Sequence, residues 1–194
     1  LKVLLAVAGA VTTALVVAAV VVLVPDDSEE WVDDTPVAAV TPSPQAVTAD
    51  VLAAAEAGDA DAQYRLGKNL MLDATLDPRK GLEAMQWLSR AAESGNTSAM
   101  IHLARMYRNG IGALQNYDNA ARWITRAAEK GDPEGMLELG RLYRDGVGID
   151  QDVTMAYVWF NRAAALLNLD AARERDGVSR RMNEAQLQRA QNLS

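Results

Sequence analysis

The sequence of 194 residues contains no cysteine, a single histidine and a single phenylalanine. The absence of cysteine excludes a disulfide scaffold, a thiolate metal site and a cysteine nucleophile. It does not assign a compartment, because an oxidising compartment permits disulfides without requiring them. Aromatic residues make up only 5 % of the chain, whereas alanine is frequent. This composition favours closely packed helices over a sheet.

Basic residues are almost missing from the N-terminal third. Lys2 is the single basic residue of residues 1–64, whereas Lys and Arg number 19 in the whole chain. The formal net charge of −7 therefore arises in the N-terminal part, and residues 65–194 are close to neutral. A nearly neutral region has no global field to hold a polyanion, so we expect no nucleic-acid partner.

Charge is also missing from one long apolar run, residues 3–24. A helix of this length spans roughly 33 Å, enough for a bilayer core of about 30 Å. We therefore predict a transmembrane helix, retained as a signal anchor, at residues 1–24. The alternative is a cleaved signal peptide, whose apolar region usually runs about 7–15 residues. Lys2 precedes the run, which predicts that the N-terminus lies in the cytoplasm and the larger part of the chain on the other side of the membrane.

Small residues recur within this run, and an acidic stretch follows it. A small-residue face of this kind allows membrane helices to pack closely, and its members are Ala6, Ala10, Ala14 and Ala18. Residues 25–48 combine proline with six carboxylates between Asp26 and Asp34. Such a composition cannot bury enough apolar surface to form a core, so it predicts an acidic, extended linker.

The rest of the chain repeats itself. The phrases WLSRAAESG, WITRAAEKG and WFNRAAALL begin at Trp87, Trp123 and Trp159. Around them, apolar residues follow helical spacing, so each unit reads as two helices joined by a glycine loop. We expect each Trp to be buried between neighbouring helix pairs, because stacked units share one core. The predicted repeat domain, 49–194, divides into repeats at about 59–95, 96–131 and 132–167 and a C-terminal cap at 168–194.

Helix boundaries repeat with the same period. Glycine in the left-handed conformation is expected to end each second helix, at Gly58, Gly95 and Gly131. The residue after each glycine is a typical N-cap of the next helix, namely Asp59, Asn96 and Asp132. Small residues also recur within the helices, which predicts close helix contacts at Gly67, Ala104, Gly140, Ala84, Ala120, Ala156, Ala91, Ala127 and Ala163.

The combined pattern is LG or LA, then Tyr, G-x-G, Ala, Trp and AA-x-x-G, and it resembles the Sel-one-like repeat. That family is related to the tetratricopeptide repeat, and the resemblance covers about residues 50–191. It implies an all-α fold: a short α-solenoid of stacked helix-turn-helix repeats, here about three units plus caps, preceded by the transmembrane helix. It also implies protein binding rather than enzymatic activity.

Bacterial members of the family often serve in envelope assemblies, which leads to our expectation for this chain. We expect a membrane-anchored scaffold or adaptor, an accessory subunit of an envelope complex that binds a protein partner. It would cross the bacterial inner membrane once, with the repeat domain in the periplasm. The alternative is a periplasmic regulator of a sensor or secretion system. A remote alternative is a β-lactam-binding hydrolase, since some cysteine-rich relatives have been linked to that activity.

The residues themselves give no sign of a catalytic, cofactor or metal site. His102 occupies the position of Arg65 and Glu138 in the other repeats, so we expect it to be exposed. The G-x-G pairs lie between helices and follow no strand, unlike phosphate-binding loops. We therefore predict no catalytic residue, no cofactor and no metal ligand.

A periodic set of cations is the candidate partner-binding surface. Lys68, Arg105 and Arg141 occupy equivalent positions on successive first helices, and Arg108 and Arg144 lie three residues further along. In superhelical repeat proteins the first helices tend to line the concave surface, so these cations, together with His102, are expected to face a partner with an acidic surface. The alternative is ordinary solvated surface, where arginine is common.

Overall fold

The computed structural model describes residues 49–74 and 77–194, and this part of the chain consists of helices and their connections. The predicted all-α repeat fold is thereby confirmed. The helices described are α1 Ala49–Glu56, α2 Ala60–Asp73, α3 Pro78–Glu93, α4 Thr97–Asn109, α5 Tyr117–Glu129, α6 Pro133–Asp145, α7 Val153–Ala165, α8 Leu169–Ser179 and α9 Glu184–Leu193.

These helices form three consecutive pairs between two terminal pieces. The most extensive packing is within the pairs α2–α3, α4–α5 and α6–α7, and each pair also contacts the next one. Among these described helices, none combines the length and the apolar character that crossing a bilayer requires. The predicted transmembrane helix, its alanine face and the acidic linker up to residue 48 lie outside the described residues.

The helix ends follow the predicted chemistry. Gly58, Gly95 and Gly131 have positive φ angles of 98°, 99° and 90°. Side-chain oxygens of the following residues accept hydrogen bonds from backbone N–H groups in the first turn of α2, α4 and α6, which satisfies donors that have no partner within the helix. At the end of α7 the equivalent residue is Leu167, which adopts a φ of 65° without being glycine.

Glycine in the interhelix loops has a second purpose, which is close approach between repeats. A Cβ added to Gly112 would lie 2.3 Å from the carbonyl oxygen of Gly81, and one added to Gly148 would lie 2.2 Å from that of Tyr117. Each of these loops therefore rests on the start of the preceding second helix. A side chain at either position would separate the two repeats.

The predicted small positions form the contact between the two helices of each repeat. A Cβ at Gly67 would lie 2.7 Å from Leu88 Cγ, and one at Gly140 would lie 2.5 Å from the Phe160 ring. Ala104 takes the same position in the second repeat and is 3 % exposed. At these positions the first helix of a repeat carries a small residue, and a large side chain of the second helix fills the space, as close packing requires.

The core has two parts. The larger cluster extends from Ala84 in α3 to Val178 in α8 and therefore joins three repeats. A smaller cluster contains Ala55, Ala62 and Leu66, against which Trp87 packs. The first repeat is thus held at its outer end by a much smaller set of buried residues than the repeats that follow.

The three repeated tryptophans are less buried than expected. Trp87, Trp123 and Trp159 pack on the core, but all three are only half-buried. The outer face of each ring is covered by an arginine three residues later, with guanidinium-to-ring distances of 4.6, 4.9 and 5.0 Å. These arginines are Arg90, Arg126 and Arg162. Such cation–π contacts cover an aromatic face while the charge stays in water.

The last helix departs from the repeat geometry. α9 packs mainly on α7 rather than pairing with α8 as a second helix would. Its Ala190 is 0 % exposed, and Arg162 of α7 donates a hydrogen bond of 2.9 Å to the carbonyl of Leu193. Val158 of α7 is 1 % exposed, whereas its equivalent on α5, Arg122, is exposed. α9 therefore closes the C-terminal end of the core.

Candidate interaction surface

The first helices of the pairs form one continuous surface, which we call the inner row: α2, α4, α6 and α8. Successive members approach each other directly, α2 with α4 and α4 with α6, and polar side chains connect them. No second-helix pair within the three repeats packs as closely. The inner row is therefore a side of the stack on which polar side chains join each repeat to the next.

The predicted cations lie on this row, and most of them are paired with carboxylates. Between α4 and α6, Arg105 contacts Glu134 at 3.0 Å and Arg108 contacts Glu138 at 3.7 Å. Between α6 and α8, Arg141 and Arg144 both contact Glu174. Arg141 also contacts Glu138 within its own helix at 2.8 Å. The four arginines and their carboxylates form a ladder across two interfaces, in which Arg108, Arg141 and Arg144 are linked through shared carboxylates.

The ladder sets the charge state of its members. Partial burial lowers the pKa of Arg141, but the neighbouring carboxylates of Glu138 and Glu174 outweigh that effect and raise it. The hydrogen bond from Arg144 lowers the pKa of Asp145. The pKa of Arg144 is raised chiefly by the same bond. All of these groups are therefore held in their charged forms at neutral pH.

The interface between α2 and α4 lacks this arrangement. Ser98 and His102 occupy the positions that Glu134 and Glu138 occupy one repeat later. Lys68, equivalent to Arg105, has no carboxylate within ion-pair distance among residues 49–74 and 77–194. Its ammonium lies 5.9 Å from the Tyr64 ring instead. Cationic charge is therefore not neutralised at this end of the row.

His102 is half-buried, so the expectation that it is exposed is wrong. Its ring lies edge-on to Tyr64, with the centroids 5.4 Å apart. Nδ1 lies 2.9 Å from the carbonyl oxygen of Ser98. Burial lowers the pKa of His102 most, the hydrogen bond with the Ser98 carbonyl raises it by less, and the charges of Arg105 and Lys68 each lower it by smaller amounts. The ring is therefore neutral at pH 7 and sits in a locally positive field.

A second set of polar contacts joins the N-terminal ends of the inner helices. Asn96 donates to Asp61 at 2.8 Å, and Thr97 donates to Asp132 at 2.6 Å. Asn96 and Asp132 are N-caps, so the groups that start the helices also connect neighbouring repeats. These contacts fix the offset between repeats and with it the spacing of the ladder.

The outer side of the stack presents a different surface. A groove of about 720 Å³ lies between α5 and the α6–α7 loop, lined by Trp123, Arg122, Arg126, Asp118 and Ile149 among others. The groove is open to solvent. Arg122, which lines it, occupies the position that the buried Val158 has on α7. In the described part of the chain, no group of three or more His, Asp or Glu residues is arranged to hold a metal ion.

The family comparison matches this architecture. The model of the Sel1 repeat matches the chain three times, at residues 60–96, 97–132 and 133–166. The chain belongs to the Sel1 repeat family. Sel1 repeats generally serve as scaffolds for protein interactions and typically carry no enzymatic activity. The resemblance inferred from the sequence is thereby confirmed for the repeat region.

Solved structures of Sel1-like proteins share the fold. A Sel1 repeat protein from Oxalobacter formigenes is 33 % identical, with 66 % of this chain and 96 % of that chain covered and a TM-score of 0.59. A protective antigen of uropathogenic Escherichia coli strains with an SLR fold is 31 % identical at a TM-score of 0.68. The match covers 74 % of this chain but only 31 % of that antigen.

A more distant structure shows the fold alone. The cysteine-rich protein B of Helicobacter pylori is 23 % identical, with 63 % of this chain and 92 % of that chain covered and a TM-score of 0.51. No curated protein matches this Sel1 chain at a significant level.

Sequence reasoning located the cations of the inner row but missed their partners. Lys68, Arg105, Arg108, Arg141 and Arg144 were chosen by their period alone. Glu134, Glu138 and Glu174 lie about thirty residues further along the chain, one repeat later on the facing helix. Aligning the carboxylates in the same repeat register would have found them, together with the serine and the histidine that replace two of them.

Proposed function

We propose that this Sel1 chain is a membrane-anchored scaffold that holds a protein partner along its inner row, as an accessory subunit of a bacterial envelope complex. The proposal rests most on one observation. The inner row presents polar, half-exposed side chains over three consecutive repeats, on a surface whose spacing is fixed by contacts between repeats. A rigid row of this length suits the recognition of an extended protein segment.

Anchoring rests on the amino-acid sequence. The uncharged residues 3–24 are long enough to span a bilayer, and the following acidic residues would separate the repeats from it. Lys2 on the N-terminal side favours a periplasmic location for the repeats. A reporter fused to the C-terminus tests this topology: activity of a periplasm-dependent reporter supports it, and activity of a cytoplasm-dependent one contradicts it.

Partner binding is tested by site-specific crosslinking in cells. A photo-crosslinking residue at Asn109, on the inner side, should capture a discrete protein. The same residue at Arg122, which is exposed on the outer side, is the matched control. Capture from both positions alike, or from neither, would contradict binding along the inner row.

A further inference from the structure

The charge ladder of the inner row is complete at two of its three interfaces. From α4 to α6 and from α6 to α8, cations of one helix meet carboxylates of the next. From α2 to α4, the residues in the carboxylate positions are Ser98 and His102. Both are half-buried, so they line the interface without supplying negative charge.

Within α2 itself, Lys68 also lacks the neighbouring carboxylate that its equivalent in α6 has. Arg141 has Glu138 three residues before it and pairs with it at 2.8 Å. Lys68 has Arg65 at the same offset, so two cations stand side by side. Like charges at this spacing in a helix repel each other. The first interface therefore concentrates positive charge, whereas in the third repeat the equivalent two residues are a cation and a carboxylate that pair with each other.

Apolar surface accompanies this charge. Leu72, one turn after Lys68, is 61 % exposed, whereas the equivalent positions in the next two repeats carry Asn109 and Asp145. Tyr64, one turn before Lys68, is half-buried beside the His102 ring. One face of α2 thus presents an aromatic residue, a cation and an exposed leucine in succession.

We propose that an acidic segment of the partner docks at the α2–α4 interface and supplies the carboxylate that Ser98 and His102 do not provide to Lys68. This inference rests on the proposed function and specifies its site. In the next repeat Glu134 pairs with Arg105. The partner's carboxylate takes the equivalent place next to Ser98, where it pairs with Lys68 and lies near Arg65. An apolar residue of the same segment covers Leu72. The occupant is a protein segment because the row is already neutral beyond this interface, which leaves room for a few charges and not for a polyanion.

The single histidine of the chain is a built-in reporter of this site. Burial lowers the pKa of His102, and the charges of Arg105 and Lys68 contribute to the lowering. A bound carboxylate would favour the protonated ring and raise the pKa. NMR titration of the His102 ring in the full chain, held in a mild detergent, measures this directly. The probe is capped hexaglutamate, and capped hexaglutamine is the neutral control.

Two substitutions locate the effect. Lys68→Gln removes the cation, and Ser98→Glu introduces the carboxylate that the third repeat carries at the equivalent position, Glu134. Both keep His102 as the reporter. Each should weaken hexaglutamate binding by roughly threefold to fivefold, the value of about 1 kcal/mol for one exposed ion pair. In Ser98→Glu the His102 pKa should already be raised without peptide. Arg122→Gln, on the outer side, should bind as the unchanged chain does.

The response of the His102 pKa to the two peptides distinguishes support for the proposal from its failure. The proposal is supported when hexaglutamate raises the His102 pKa, hexaglutamine does not, and both inner substitutions weaken the response while Arg122→Gln leaves it intact. It is overturned when hexaglutamate has no effect, when hexaglutamine has the same effect, or when all three variants respond alike. Thermal melting shows whether each variant is folded. Crosslinking in cells uses no peptide, so it tests the proposed function independently of this result.

Discussion

Phe160 fills the space left by the missing side chain of Gly140. The two residues show how closely the side chains of the two helices in a repeat fit together. The Phe160 ring is 0 % exposed, and it would lie 2.5 Å from a Cβ on Gly140. Contacts this short cannot be relieved without moving the ring or separating the helices. Stability at this site is therefore limited by space rather than by helix propensity.

Gly140→Ala should consequently destabilise the fold, although alanine favours a helix more than glycine does. We expect a loss of about 1–3 kcal/mol, the usual cost of overpacking a core. Gly177→Ala in α8 is the matched control, because an added Cβ there meets nothing within 4 Å. The control should gain up to about 1 kcal/mol. Urea unfolding of both variants measures the difference, and equal changes would contradict the packing argument.

His102 makes a pH-dependent contribution to stability whose sign follows from its surroundings. Burial lowers its pKa below the ordinary 6.5, so on acidification the unfolded chain takes up this proton before the folded chain does. The contribution is therefore fully present above about pH 6.5 and is lost as the pH falls from there to the pKa of the folded state.

His102→Gln should flatten the pH dependence in that window. The free energy of unfolding of the unchanged chain should fall between about pH 7.5 and 5.5, and that of the variant should fall less, because no other side chain has its ordinary pKa there. Urea unfolding at the two pH values measures both. An unchanged slope in the variant would show that the ring does not resist protonation in the folded chain.

At the scale of helices, the repeated signals in the sequence were sufficient to place the boundaries. Gly58, Gly95 and Gly131 mark chain positions that need a positive φ, and the cap residues follow each of them. These signals act within a few residues, which is why one sequence reveals them. The cation–carboxylate pairing was not predictable in this way, because it depends on the offset between facing helices. Likewise, the partial burial of the tryptophans was not predicted, because period alone does not distinguish a ring within the core from one at its edge that is covered by arginine.

The N-caps of the inner row have two functions, and these can be measured separately. Asp132 accepts hydrogen bonds from the N–H groups of Glu134 and Gly135 and also one from Thr97 of the preceding repeat. Asp152 caps α7 through two similar bonds to Thr154 and Met155. Asp132→Ala should therefore cost more than Asp152→Ala.

The expected loss is about 1 kcal/mol for Asp152→Ala, as for a typical N-cap, and about 2 kcal/mol for Asp132→Ala, which also loses the bond to Thr97. Thr97→Val supplies the cross-check, since it removes only the contact between repeats. Equal costs for the two aspartates would mean that the bond from Thr97 adds nothing to the cap.

At the scale of the whole repeat region, stability is not distributed evenly. The large cluster takes its buried residues from α3 to α8, whereas α1 and α2 contribute buried residues only to a small cluster of Ala55, Ala62 and Leu66, and α2 reaches the large cluster only through partly buried side chains. In a stacked protein each unit is stabilised chiefly by its neighbours. The N-terminal end, which also carries the proposed docking interface, is thus the less firmly held end.

Hydrogen exchange should show this gradient directly. Amides in the middle of α2 should exchange at least about tenfold faster than those in the middle of α4 and α6, which corresponds to a difference of about 1.4 kcal/mol in opening free energy. Mass spectrometry of peptides covering each helix measures the rates. Uniform protection from α2 to α7 would show that the described repeats unfold as one unit.

The position of α9 has a consequence for how such a chain can grow in evolution. Because α9 packs on α7 rather than beside α8, a further 36-residue unit could not continue the pairing of first and second helices after α8 unless α9 moved. Duplication of an internal segment, by contrast, meets the same interfaces on both sides. An internal duplication therefore lengthens the array while leaving the contact between α9 and α7 unchanged.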